Sequence, residues 1–155
     1  MPAPPPPRPA RGHTLVELCI GLVVLAVLAT VALPSYQEQL RRIRRSDALR
    51  ALATVQQWQE RWRAGHEHYC ATLGTGGLGL PEHSPDGHYR ITLALDAATP
   101  GSAYTVRASA LDGQQGDSGC QELALELGEG TLVQRSGPDA TLGNGAAANQ
   151  RCWGR

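Results

Sequence analysis

The chain has 155 residues, 41% of them hydrophobic and 18% charged, with 14 basic residues balanced by 14 carboxylates. It is too apolar for a disordered chain and too evenly charged for a dedicated nucleic-acid binder. Its apolar residues also crowd near one end, which argues against a free cytosolic enzyme. Every basic residue is arginine, and the balance is uneven along the chain. Residues 34–65 hold seven arginines against three carboxylates, a net +4, while residues 66–155 hold five against ten, a net −5. A basic stem therefore carries an acidic head, which favours copies or partners that meet stem to head.

Residues 1–12, MPAPPPPRPARG, are proline-rich, lack an apolar face and are cationic through Arg8 and Arg11. The stretch Thr14–Leu33 follows with Glu17 as its one charge. As a helix its 20 residues span about 30 Å, the thickness of a bilayer core. No small-residue cleavage pattern follows the apolar run, so the run is expected to stay with the mature chain. A carboxylate at the edge of a hydrocarbon phase is costly unless partnered, which makes Glu17 a functional candidate.

Pro34 interrupts a pattern that reads as helix on both sides. It deprives the Thr30 carbonyl of its hydrogen bond and is expected to kink the helix. Beyond it Tyr36, Leu40, Ile43, Asp47, Ala51, Val55, Trp58 and Trp62 step by three or four, marking one helix face, and Gly65 is the stop. Residues 13–63 would make about 75 Å of helix, too long for an ordinary domain of this size.

Residues 68–88 lack periodicity and read as a long loop. Alternation then predicts strands at Tyr89–Leu95, at Tyr104–Ala110 and through Leu123, Leu125 and Leu127, with a short fourth strand at Thr131–Gln134. The expected fold is α+β: a long N-terminal helix packed on a small antiparallel sheet whose apolar face meets Trp58 and Trp62. Residues 136–150 are small and polar, and only a tie near Cys152 would order them. Cys70, Cys120 and Cys152 allow three pairings, 70–120, 70–152 and 120–152, while Cys19 lies in the apolar helix. His66, His68 and Cys70 would share a face if extended, but their spacing fits no standard zinc pattern, so no metal site is assigned. No nucleophile elbow, phosphate loop or carboxylate pair is present, so neither catalysis nor a cofactor is expected.

The run Gly12-His13-Thr14-Leu15-Val16-Glu17-Leu18, with the apolar stretch after it, resembles the class III signal of type IV pilins and pseudopilins. Leu33-Pro34-Ser35-Tyr36-Gln37-Glu38-Gln39 and Arg44-Arg45-Ser46-Asp47-Ala48 resemble the continuation seen in minor type IV pilins. The resemblance is close over residues 11–62. It implies a pilin-like fold with a leader at 1–12, a membrane helix at 13–33, an amphipathic stem at 34–65 and a globular head at 66–155. Prepilin peptidase would cut between Gly12 and His13 and methylate the new amine, although the family usually has Phe where this chain has His13. Glu17 and Pro34 become assembly residues. The Glu17 carboxylate would pair with the terminal amine of a neighbouring subunit, which sets register. Cys120 and Cys152 become the disulfide, because minor pilins tend to join a cysteine in this strand region to one near the C terminus.

The implied partners are other pilin subunits, prepilin peptidase, the inner-membrane pilus assembly machinery and, before assembly, the lipid bilayer. The implied location is the inner membrane with a periplasmic head, and then a surface fibre serving adhesion, twitching motility or DNA uptake. Five arginines follow the span within ~20 residues, against two before it, which by charge alone would keep the head cytoplasmic. The resemblance implies the opposite, the head cysteines also favour an oxidising compartment, and we follow the resemblance. A type II secretion pseudopilin shares the N-terminal physics and is the first alternative. A membrane-anchored periplasmic binding or sensor module, which would keep its leader, is the second. The Arg41–Arg50 cluster can hold phosphates, but it lacks interleaved aromatics, so packing or lipid contact ranks ahead of direct DNA binding.

Overall fold

The structure is a computed structural model that describes residues 14–96, 99 and 101–154. It forms two compact units, Met1–Gln37 and Glu38–Arg155, and α1 (Leu15–Arg63) contributes to both.

In the first unit Thr14 caps α1. Its hydroxyl accepts the Glu17 N–H at 3.3 Å and its carbonyl accepts the Leu18 N–H at 3.1 Å. Leu15, Leu18, Leu22, Leu25 and Leu28 are all more than half exposed, and α1 is long and apolar enough to cross a membrane. A helix apolar on every side has no stable place in water alone. The helix continues through Pro34. Nearby, the Thr30 hydroxyl donates to the Val27 carbonyl at 2.7 Å and Ser35 to Ala32 at 2.9 Å.

The second unit packs the Glu38–Arg63 part of α1 on an antiparallel meander. Its strands are β1 (Tyr89–Leu95), β2 (Tyr104–Ala110), β3 (Glu122–Gly128) and β4 (Thr131–Gly137), in that spatial order. Register pairs Ile91 with Ala108, Val106 with Leu125 and Leu123 with Ser136, which lines one face with apolar side chains. Glu129 and Gly130 both have positive φ, 50° and 74°, as a two-residue type I′ hairpin requires. The fourth strand runs three residues beyond the expected Gln134, because polar Gln134 and Ser136 find partners on a C-terminal helix, α2 (Ala146–Cys152). Asn149 donates to the Gln134 carbonyl at 2.8 Å and accepts the Ser136 hydroxyl at 2.7 Å. These bonds and the Trp153 indole N–H on the Arg135 carbonyl occupy the outer edge of β4.

Asp47, Ala51 and Val55 of the expected face of α1 are buried, but the stripe around them is rotated. Ala48, Leu52 and Val55 lie in the core, whereas Ile43 is 58% and Trp58 38% exposed. Trp58 instead carries the Arg61 guanidinium 4.9 Å above its ring. Ala48 and Ala51 let the helix approach the sheet closely, and the stripe is completed by polar residues that are buried because each is engaged by hydrogen bonds.

Asp47 is 1% exposed. It accepts the Ser84 hydroxyl at 2.5 Å, the Asp86 N–H at 3.0 Å and the His88 N–H at 3.3 Å, fixing the turn that feeds β1. Arg50 bonds both Asp47 and Asp86 across that turn. Gln59, wholly buried, donates to the Cys70 carbonyl at 2.8 Å and accepts the Cys70 N–H at 2.9 Å, standing in for a strand partner. Arg45 Nε lies 2.8 Å from Asp117 Oδ2 with both side chains buried, and its Nη1 donates to the Arg151 carbonyl at 2.9 Å. Burial holds the Asp117 carboxyl above the usual carboxylate range, against the pull of Arg45.

A disulfide joins Cys120 to Cys152, with Cα atoms 5.4 Å apart. Inside the loop it closes, Asn144 donates to the Gly119 carbonyl at 2.6 Å and to the Ser136 hydroxyl at 2.9 Å. Residues 136–150 are therefore ordered by amide hydrogen bonds and a short helix as well as by the covalent tie.

Asp47→Ala is expected to lower the stability of the folded chain by about 2–4 kcal/mol, because one hydroxyl and two backbone N–H groups lose their acceptor. The loss will register in denaturant titration, with hydrogen exchange at Asp86 and His88 accelerated before the rest of the sheet. Cys152→Ser removes a loop closure of ~30 residues, roughly 3–4 kcal/mol in the chain-entropy account. A lowered melting temperature, with Cys70→Ser changing it much less, is the expected result.

Candidate functional site

Of the residues singled out by sequence, Gly12 and His13 lie outside the described residues. Glu17 sits in the first turn of α1, its backbone N–H on the Thr14 hydroxyl and its side chain exposed. Leu18, Gly21, Leu22 and Leu25 join it along one side of the helix. A carboxylate on an apolar surface can hold a cation brought to it by another chain. Pro34 is inside α1, and Cys120 and Cys152 are the bonded pair.

The histidine–cysteine cluster does not converge. His66 stacks on Trp62 with ring centroids 4.0 Å apart, and its Nδ1 lies 2.9 Å from the Trp62 carbonyl. Cys70 is buried against Gln59 and the Thr72 carbonyl. No group of His, Cys, Asp or Glu among the described residues is arranged to hold a metal ion.

The basic stretch separates into distinct roles. Arg45 is a buried structural ion and Arg50 is paired across the turn before β1. Arg42 is exposed, with Glu38 at 3.3 Å one turn away. Arg41 and Arg44 lie against the 3₁₀ turn Asp112–Gly116, and a Cβ on Gly116 would come within 2.8 Å of the Arg41 guanidinium, so glycine permits that approach. Among the described residues Arg41, Arg44 and Arg151 form no ion pair with a carboxylate. Arg151 stands at the end of α2 beside Trp153, and both line an open groove with Arg42; the Arg151 guanidinium lies over Gly119, where a Cβ would come within 3.3 Å of it.

Sequence reasoning missed this face because it is assembled from the two ends of the second unit. Ala146-Ala147-Ala148 after Gly145 was the available sign of a helix near the C terminus, and so of where Arg151 would be held.

No curated protein matches the chain. The family model described as "Type IV minor pilin ComP, DNA uptake sequence receptor" matches residues 34–124. The matched region takes in the arginines of α1 from Arg41 to Arg63, the polar residues Arg45, Asp47 and Gln59, and the strands β1 and β2, and it ends before α2, Arg151 and Trp153. Pilins of this family are structural, non-enzymatic subunits that associate with other pilins and the pilus machinery, and the apolar helix fits a membrane-anchored or pilus-surface protein. With more than half of its residues matched, and with a long N-terminal helix on a four-stranded antiparallel sheet, the chain belongs to the ComP family of type IV minor pilins.

Proposed function

We propose that this chain is the DNA-contacting minor subunit of a type IV pilus that imports DNA. The match to a family described as a DNA uptake sequence receptor carries this reading. Charge distribution alone ranks subunit or lipid packing first for the Arg41–Arg50 cluster. The family description reverses that order, and it is supported by Arg44 and Arg151, which stand on the second unit and form no ion pair with a carboxylate among the described residues. Phosphate contact is what such arginines provide, and it is salt-sensitive and independent of sequence until base edges are read.

In this reading the leader, residues 1–12, is removed between Gly12 and His13 and the new amine is methylated. The amine of one subunit neutralises Glu17 of the next, so that neither charge is left alone in the apolar phase. Residues 13–33 hold the chain in the inner membrane with the head in the periplasm until assembly carries it into a surface fibre. Residues 34–65 are the stem and 66–155 the head that the fibre displays.

Deleting the chain from producing cells should leave surface pili in place and abolish import of labelled duplex DNA; unchanged import would exclude the DNA role. Glu17→Ala should leave processing and melting of the head unaltered and strip the chain from sheared pili. Equal content of mutant and parent in that material would remove Glu17 from register setting.

A further inference from the structure

The groove at the basic end of the second unit has a volume of about 570 Å³ and is lined by Arg42, Arg45, Ser46 and Leu49 from α1 and by Arg151 and Trp153 from the C-terminal segment. No carboxylate is among the described residues that line it. Arg45 forms its inner wall, committed to Asp117 and to the Arg151 carbonyl. That second bond fixes the backbone of Arg151 while leaving its side chain exposed. Arg42 has 58% of its side chain exposed across the groove, and it pairs with half-exposed Glu38 on its own helix. Two exposed cations thus project from backbone that is held rigidly.

An aromatic residue with a fixed orientation lines the same groove. The Trp153 Nε1–H donates to the Arg135 carbonyl at 3.2 Å, and the preceding residue is locked by the disulfide. The indole also lines a second groove, formed with Leu132, Asn149 and Gln150, and therefore makes a ridge between two depressions. Cations flanking a preoriented aromatic ridge suit a ligand that alternates anionic groups with flat or apolar rings. A nucleic-acid backbone does so, with phosphates for the arginines and deoxyribose or a base for the indole. An acidic peptide would satisfy the arginines and leave the indole without a role.

We propose that this groove, built from Arg42, Arg151 and Trp153, is where the chain grips the DNA backbone. The inference rests on the DNA-uptake reading and assigns that reading a site. Arg42 and Arg151 bind phosphates, Trp153 packs against a sugar or base ring, and the Cys120–Cys152 bond keeps Arg151 and Trp153 in place.

The test is binding of a fluorescently labelled short duplex, and of its single strand, to the full-length chain in detergent across a salt series. The Arg42→Ala/Arg151→Ala double variant should bind at least about tenfold more weakly and reduce the salt slope by about 2, one for each phosphate that is no longer neutralised. Trp153→Ala should cost roughly fivefold to a hundredfold, and Trp153→Phe should recover most of that. Arg90→Ala, which removes the same charge from an exposed position on β1, should leave affinity within about twofold. Melting temperatures of all variants separate binding from folding. If the parent binds and the groove variants bind as well as it does, the groove is excluded while the DNA reading stands. If the parent binds neither probe, both fall. If the variants bind DNA normally but vanish from sheared pili, the groove is an interface between subunits and the proposal is overturned.

Discussion

One half of a helix face organises the second unit, and it does so through polar side chains. Arg45, Asp47 and Gln59 are each almost completely buried on α1, and each engages a different segment. Arg45 reaches the 3₁₀ region and the C-terminal helix, Asp47 the turn before β1, and Gln59 the chain at Cys70. A buried charge or amide is tolerated only when its hydrogen bonds are made. The three loops can therefore take few other positions without stranding a group on the helix. The apolar packing of Leu52, Val55, Ile91, Val106 and Leu123 supplies most of the driving force, and the polar set selects which arrangement of loops that force stabilises.

That division of labour bears on function. The first unit offers an apolar helix with one carboxylate, a surface suited to lipid and then to other helices. The second unit offers loops and a C-terminal segment pinned by α1 and by a disulfide. A subunit that binds a polyanion gains from such pinning, because the entropy of ordering its binding residues has been met during folding. Arg151 illustrates this. Its carbonyl is bound by Arg45 and its neighbour Cys152 by Cys120, so its side chain begins from a fixed point.

Much of the fold is legible in the sequence. An uninterrupted apolar run marks the N-terminal half of α1, and strict alternation marks β1 and β2 at their observed ends. The stem is legible in length and in part of its face: Asp47, Ala51 and Val55 are buried as their spacing predicts, while Ile43 and Trp58 are not. Hydrophobicity favours Ile43 and Trp58 for the buried face over Arg45 and Gln59, since an isolated sequence window shows polarity without the distant partners that satisfy it. The extension of β4 to Gly137 is hidden for the same reason, because Ser136 needs Asn144 and Asn149 to be buried. The basic groove is invisible in the sequence because Arg42 and Arg151 are brought together only by the packing of α2. Gly12, His13 and Glu17 stand as a sequence motif alone: the first two lie outside the described residues, and Glu17 shows an exposed side chain in the first turn of α1.

The central claim is that this chain is cleaved, carried out of the membrane and built into a fibre. Intact-mass measurement of the chain in pili sheared from producing cells tests it most directly. The claim predicts a polypeptide in the sheared fraction that begins at His13 and carries a methyl group on its terminal amine. A chain found only in the membrane fraction, with residues 1–12 still attached, would contradict it.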